Sequence, residues 1–282
     1  DRGGIVYMTF TPENGMTETV AQFVNDLRDG QALIQAGWDD APHMTKEVRQ
    51  QILAALPPHE RKMREQGIPQ LGSGLVFPIA ESDMICEPIN IPDHWPRICG
   101  LDFGWDHPTA AAWAAWDRDS DIIYIYDTYA MSQEAVPIHA SAVKARGQWI
   151  PVIWPMDGRQ ADKGSGKSLT EQYRNEGVNM TREHFTNPPQ QGQKENTGGI
   201  SVEAGVQEMY TRFMTNRLKI FNNQSKLLEE LRMYHRKDGK IVFKHDDVIS
   251  AARYAVMSVR KARVKNYEPQ QLYSDSSFNV FA

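Results

Sequence analysis

Apolar residues in this chain gather into short runs, and several of those runs close on a carboxylate or a glycine. Ile98 to Gly104, Ala110 to Asp117 and Asp121 to Tyr129 are rich in small, β-branched and aromatic residues. The turn-forming Arg118-Asp119-Ser120 separates the last two, so together they predict a three-strand meander. The first run lacks polar alternation, as expected of a strand covered on both faces, and it carries one carboxylate, Asp102, which needs a compensating partner. A helix over Ser132 to Ala145 stops at Gly147, a strand from Ile150 runs into Asp157 so that its carboxylate emerges at the strand's end, and a short helix spans Leu169 to Asn175 before Gly177. Helix is then expected over Val202 to Thr215, strand over Leu218 to Phe221, helix over Ser225 to Tyr234, a short hairpin over 236–243, and a final helix from Asp246 to Ala262.

Before the meander the pattern differs. Gly4 to Phe10 reads as a strand, and helical periodicity covers Thr17 to Asp29, Lys46 to Leu56 and His59 to Gln66. Pro78, Pro88, Pro92 and Pro96 then punctuate a stretch without clear period, whose missing donors suit a connector. We therefore divide the chain into a small first region (1–77), a linker (78–97), a larger α/β domain (98–265) and a flexible tail (266–282) with an apolar end. Asn187 to Gly199, polar and rich in Pro, Gln and Gly, is expected as a mobile surface loop. A first residue other than Met is read as the sign of a fragment of a longer protein.

The 282 residues, 40% of them hydrophobic, suffice for a sizeable core. Two cysteines, Cys86 and Cys99, give neither a disulfide framework nor a CxxC metal site, and a reducing compartment fits best. The longest apolar stretch, near Ala110 to Trp116, is too short for a bilayer, so no membrane association is expected. The net charge of −5 hides an asymmetry: residues 211–265 carry 14 Lys and Arg against 5 Asp and Glu, a local charge of +9. That segment is the expected polyanion contact, through Arg236, Lys237, Lys240, Lys244 and Arg253.

Three acidic sites on separate elements, Asp102, Asp157 and the pair Asp246/Asp247, point to metal-assisted phosphodiester hydrolysis. Two hard cations about 3.5–4 Å apart supply a nucleophilic water and compensate charge on the phosphorus oxygens. Mg²⁺ or Mn²⁺ keeps most of its waters, so a few carboxylates are enough. Each residue also has a plain structural role open to it. Asp102 can pair with Arg97 or Arg118, Asp157 can cap the turn before Gly158, and Asp246 can be the N-cap of the last helix. Asp106, His107 and His245 stand nearby in sequence as outer groups or solvated turn residues. Ala161 to Ser168 satisfies a relaxed phosphate-loop pattern, yet Asp157 to Gln160 separate it from its strand. A basic loop touching DNA through Lys163 or Lys167 accounts for the same residues.

The segments Gly100-Leu101-Asp102-Phe103-Gly104, Met156-Asp157-Gly158 and His245 to Ala255, in this order, resemble the nuclease domain of the large terminase subunit of tailed bacteriophages. Gly3 to Pro12 and Trp38 to Pro42 likewise resemble the end of that family's ATPase domain. The resemblance implies an RNase H-like mixed sheet flanked by helices, preceded by a small α/β remnant of the ATPase domain. It implies a two-metal Mg²⁺ or Mn²⁺ endonuclease that cuts double-stranded viral concatemers during genome packaging in the host cell cytoplasm, with the portal protein and small terminase subunit as partners. Asp102, Asp157 and Asp247, assisted by Asp246, are then the metal ligands, with Asp247 favoured within the adjacent pair. ATP binding is not expected of this chain as given, because no segment before Thr11 can hold a phosphate loop. A Holliday-junction resolvase or RNase H-type nuclease is the alternative of the same class, and a non-catalytic DNA-binding or assembly module the alternative of another.

Overall fold

The structure, a computed structural model, describes residues 4–10, 18–56, 60–68, 74–160, 166–189, 198–237 and 240–265. Its centre is the predicted meander: β2 (Arg97–Asp102), β3 (Thr109–Asp117) and β4 (Ile122–Met131) pair antiparallel in sequence order. Three shorter strands extend it in parallel. β5 (Val152–Ile153) lies beside β2, β6 (Leu218–Phe221) beside β4, and β1 (Ile85–Cys86) beside β6, giving a six-stranded mixed sheet in the order β1-β6-β4-β3-β2-β5.

Helices cover both faces, and the two-residue period of the strands decides which residues each face receives. Ile98, Ala110, Ala112, Ala114, Ile123 and Ile125 pack against α7 (Val202–Met214), α8 (Ser225–Met233) and α9 (Asp247–Met257). Cys99, Leu101, Ala111 and Trp113 face α5 (Val136–Ala145) and α6 (Leu169–Asn175). The alanines of β3 are fully buried, and their small side chains let helix backbones come close to the sheet.

Several expectations are corrected. Residues 4–10 form no strand; Ile5, Val6 and Tyr7 are at least 80% exposed, and no described residue supplies the hydrogen-bonded neighbour that a strand requires. Among the described residues the first region carries the helices α1 (Glu18–Asn25), α2 (Lys46–Ala55) and α3 (Arg61–Gln66). The expected linker is packed rather than free. Ile79 and Met84 enter the core, Met84 from the short α4 (Glu81–Met84), and Ile85–Cys86 is an edge strand, the place in a sheet where proline-flanked residues are tolerated. Helix α5 starts at Val136 rather than Ser132 because Pro137, with no N–H, fits only the first turn. β5 is cut to two residues between Pro151 and Pro155, so Asp157 sits in the following 3-10 turn, Met156–Arg159, and not at the strand's last residue. Lys163, residues 190–197 of the expected mobile loop and the tail from 266 lie outside the described residues.

Candidate active site

Two strands and one helix bring the acidic residues to one end of the sheet. In the parallel β2–β5 pair, Cys99 stands opposite Val152 and Gly100 opposite Ile153. Asp102 follows two residues beyond that pair, and the turn carrying Asp157 follows on the other strand in the same direction. Strand parity puts Asp102 on the face of Ile98 and Gly100, which is the face covered by α9. There α9 lies directly on β2: a β-carbon built on Gly100 would stand 2.0 Å from the Ala251 carbonyl oxygen and 2.8 Å from the Ala255 nitrogen. Asp247 is one turn before Ala251 on the same helix face.

The Asp157 turn is fixed by similarly close packing. A β-carbon on Gly158 would meet the Phe103 ring at 2.5 Å, Trp154 at 2.8 Å and the Thr170 hydroxyl at 2.9 Å. The Thr170 hydroxyl donates to the Gly158 carbonyl at 2.8 Å. Phe103 directly follows Asp102, so this contact ties the two acidic elements together.

Electrostatics report the same convergence. The Asp102 carboxyl is pushed up to about 7, first by burial, then by the charges of Asp157 and Asp247, with a smaller push from Asp246 and a pull downward from Arg253. Burial also raises Asp157, Asp246 and Asp247 above the usual carboxylate range. His107 and His245 lower Asp247 from the solvent side, which places the two outer histidines beside the third acidic site.

The plain structural roles fare differently. Asp102 is paired with neither candidate arginine. Arg97 donates to the Ile91 carbonyl and lies near Asp93, and Arg118 stacks on Trp116. Asp157 does accept hydrogen bonds from the backbone of its own turn, Gly158 included, so it caps the turn while facing Asp102. Asp246 occupies the N-cap position of α9 but makes no capping bond.

The residue that does cap α9 escaped the sequence reading. Glu230 of α8, 2% exposed, accepts from the backbone N–H of Val248 at 2.9 Å and Ile249 at 3.0 Å. Burial pushes its carboxyl up to about 8 against the pull of those amides. Its signal was legible: Leu227, Glu230 and Leu231 share one helical face, so an acid stands in an apolar stripe.

The donor set is made of carboxylate oxygens, the ligands a hard divalent cation takes, and burial followed by the neighbouring carboxylates pushes Asp102 up to about 7. Among the described residues no three Asp, Glu, His or Cys side chains close into a ready-made cage. Beside the acidic residues runs a groove of about 720 Å³, lined by Thr128, Ser132, Lys226, Glu230, His245 and Asp247 among others.

The basic candidates divide. Lys167, Lys237, Lys240 and Lys244 are exposed. Arg236 is held by both oxygens of Glu203, at 2.7 and 2.6 Å. Arg253 is a correction: only 3% exposed, it stacks on Tyr254 and Phe185 with its stem against Gly205, and acts as an internal counter-charge to Asp102 and Asp246 rather than an outward contact. In the phosphate-loop segment, Ser168 and Glu171 form a reciprocal capping box, so a carboxylate already fills the helix start where such a loop would seat phosphate.

Comparison with known proteins follows the same residues. The model of the terminase RNase H-like domain matches residues 99–259, and that of the N-terminal part of T4-type large terminases matches residues 1–84. The large terminase subunit of Salmonella phage P22 is 40% identical over 263 residues, which is 93% of this chain and 51% of that protein. That of Enterobacteria phage LP7 is 40% identical over 256 residues, 90% of this chain and 52% of that protein, so the chain spans about half the length of these relatives. The solved P22 large terminase nuclease domain superposes with a TM-score of 0.61 at 40% identity, covering 68% of this chain and 95% of that one. The large terminase of a thermophilic bacteriophage shares the fold at a TM-score of 0.50 and 14% identity, over 79% of this chain and 55% of that one. A mixed six-stranded sheet with acidic residues gathered at one end, and a family match that spans all of them, place this chain in the phage large terminase family, through its RNase H-like domain.

Proposed function

We propose that this chain is a Mg²⁺- or Mn²⁺-dependent endonuclease that cuts double-stranded viral DNA concatemers during genome packaging. The observation that carries the reading is that β2, the turn after β5 and the start of α9 bring Asp102, Asp157 and Asp247 to one end of the sheet, where Asp102 feels the charges of the other two. The similarity to the P22 large terminase nuclease domain supports it.

In this reading Asp102, Asp157 and Asp247 hold two cations, and Asp246 assists. Bound divalent cations supply a water of lowered pKa and compensate charge on the phosphorus oxygens. Asp102 would have to be deprotonated to hold a cation, and its place at the end of β2, paired with β3 and β5, fixes its position in the site. Asp157, anchored by the Gly158 and Thr170 contacts, and Asp247, anchored through Ala251, set the other two corners. Arg253 offsets the negative charge of Asp102 and Asp246 from within. Lys237, Lys240 and Lys244, with Lys163 and Lys167, contact phosphates, and Arg236 joins them when it leaves Glu203.

Residues 1–77 belong in this reading to the end of an ATPase domain, 78–97 join it to the nuclease domain over 98–265, and 266–282 form a tail. The whole protein would work in the host cell cytoplasm with the portal protein and the small terminase subunit. No described helix is long and apolar enough to cross a membrane.

The test is digestion of supercoiled plasmid with Mn²⁺. Wild-type protein should nick and linearise it, and Asp102→Ala should leave it intact. An untouched plasmid with the wild-type protein, beside a digested control, overturns the reading. Parallel assays on duplex, four-way junction and RNA–DNA hybrid separate it from the resolvase and RNase H-type alternatives, and DNA retention without cleavage would favour a binding module.

A further inference from the structure

The first amides of a buried helix need acceptors, and in α9 the sequence offers Asp246 at the N-cap position for that task. Asp246 does not perform it. Glu230 reaches across from α8, and one of its oxygens takes both the Val248 and Ile249 N–H groups. Leu227, Leu228 and Leu231 bury α8 and so hold Glu230 in place. Among the described residues its second oxygen has no hydrogen-bond partner, and the side chain lines the groove shared with Asp247.

We infer that Glu230 is a positioning residue of the acidic site: by capping α9 from a neighbouring helix, it leaves the Asp246 and Asp247 carboxylates directed toward Asp102. The inference rests on the nuclease reading and deepens it. Without Glu230 the two amides lack an acceptor, and Asp246, already at the N-cap position, turns to supply one. That rotation withdraws a carboxylate from the site and shifts its neighbour Asp247. The site would lose cation affinity although none of its ligands had been changed, as happens when an outer group that orients a ligand is removed.

Two substitutions in the full chain separate capping from simple packing. Glu230→Met keeps length and apolar bulk but has no oxygen acceptor, whereas Glu230→Gln retains one. Glu230→Met should weaken Mn²⁺ binding in calorimetry by about tenfold or more, with a similar fall in kcat and an unchanged KM for plasmid DNA. Glu230→Gln should recover most of both. Leu227→Ala, which opens a cavity in the same helix without touching the amides, should lower the melting temperature and leave the Mn²⁺ affinity of the folded protein unaltered. If Glu230→Met does not fold, Glu230→Asp carries the test, because a side chain one methylene shorter no longer reaches both amides and should show the same loss. The inference is overturned if the Met and Asp variants bind Mn²⁺ as wild type does, if Gln loses as much as Met, or if Leu227→Ala weakens binding equally. Wild-type binding that Asp102→Ala abolishes, with no effect at Glu230, refutes this inference alone; a wild-type protein that binds no Mn²⁺ refutes the nuclease reading and the inference together.

Discussion

Gly100 and Ala251 meet so closely that a single added methyl group would overlap: a β-carbon on Gly100 would lie 2.0 Å from the Ala251 carbonyl oxygen. The obstacle is backbone, which cannot rotate away as a side chain can. This contact sets how α9 sits on β2, and therefore the distance between Asp247 at the helix start and Asp102 at the strand end.

Gly100→Ala should accordingly be among the most damaging conservative changes in the chain. Overpacking typically costs about 1–3 kcal/mol, and with helix backbone as the obstacle the upper end is expected. Denaturant unfolding measures the loss. In the folded remainder α9 must lift from the sheet, so Mn²⁺ affinity should fall as well; a variant with reduced stability and intact metal binding would show that this contact does not set the site.

The Asp102 carboxyl, pushed up to about 7, makes stability depend on pH in a definite direction. An acid whose pKa is higher in the folded than in the unfolded state, where it is about 3.9, binds more protons when folded. Stability is therefore full below about pH 4, falls as pH rises toward 7, and stays reduced above it. Asp102→Asn removes the penalty. In the presence of a chelator it should match wild type near pH 4 and exceed it at pH 8. The shift sets a ceiling of about 4 kcal/mol at about 1.4 per unit, and partial solvent access reduces the expected gain to roughly 1–2 kcal/mol. Thermal melts at both pH values read it, and an equal effect at pH 4 and pH 8 would contradict the assignment. Wild-type metal affinity should rise with pH across the same window, because cations compete with the proton.

Thr170→Val tests the Asp157 side. The Thr170 hydroxyl donates to the Gly158 carbonyl at 2.8 Å in a buried setting, and valine leaves that carbonyl unsatisfied at a cost of about 1–3 kcal/mol. The turn then loses its anchor one residue from Asp157. We expect a lower kcat with an unchanged KM for plasmid DNA; a rise in KM alone would mean that the turn serves substrate binding instead.

The meander and the acidic ends of its strands were legible because strands covered on both faces read as unbroken apolar runs, and a carboxylate interrupting such a run stands out. What escaped has physical causes. Ile85–Cys86 is a strand only because β6 lies beside it, and two residues carry no period of their own. Gly4 to Phe10 has the composition of a strand, yet no described residue supplies a partner, and composition does not reveal that. Arg253 lies among basic neighbours along the chain, yet its helix is buried at nearly every position, which turns it inward. Glu230 stands in the stripe that includes Leu227 and Leu231, where burial requires a partner that sequence alone does not name.

That reversal for Arg253 can be measured against the exposed lysines. Each phosphate that a duplex-binding surface no longer touches lowers the slope of log affinity against log salt by about 0.9. Combined Lys237→Ala, Lys240→Ala and Lys244→Ala changes should therefore flatten the slope and leave folding stability nearly untouched, since all three side chains are exposed. Arg253→Gln should do the opposite. Its guanidinium stacks on Tyr254 and Phe185 and offsets Asp102 and Asp246, so its loss should lower stability and raise the Asp102 pKa further, while the salt slope stays at the wild-type value. Salt titrations of duplex binding beside thermal melts distinguish the two behaviours. A flattened slope in Arg253→Gln would return that residue to the DNA-facing surface.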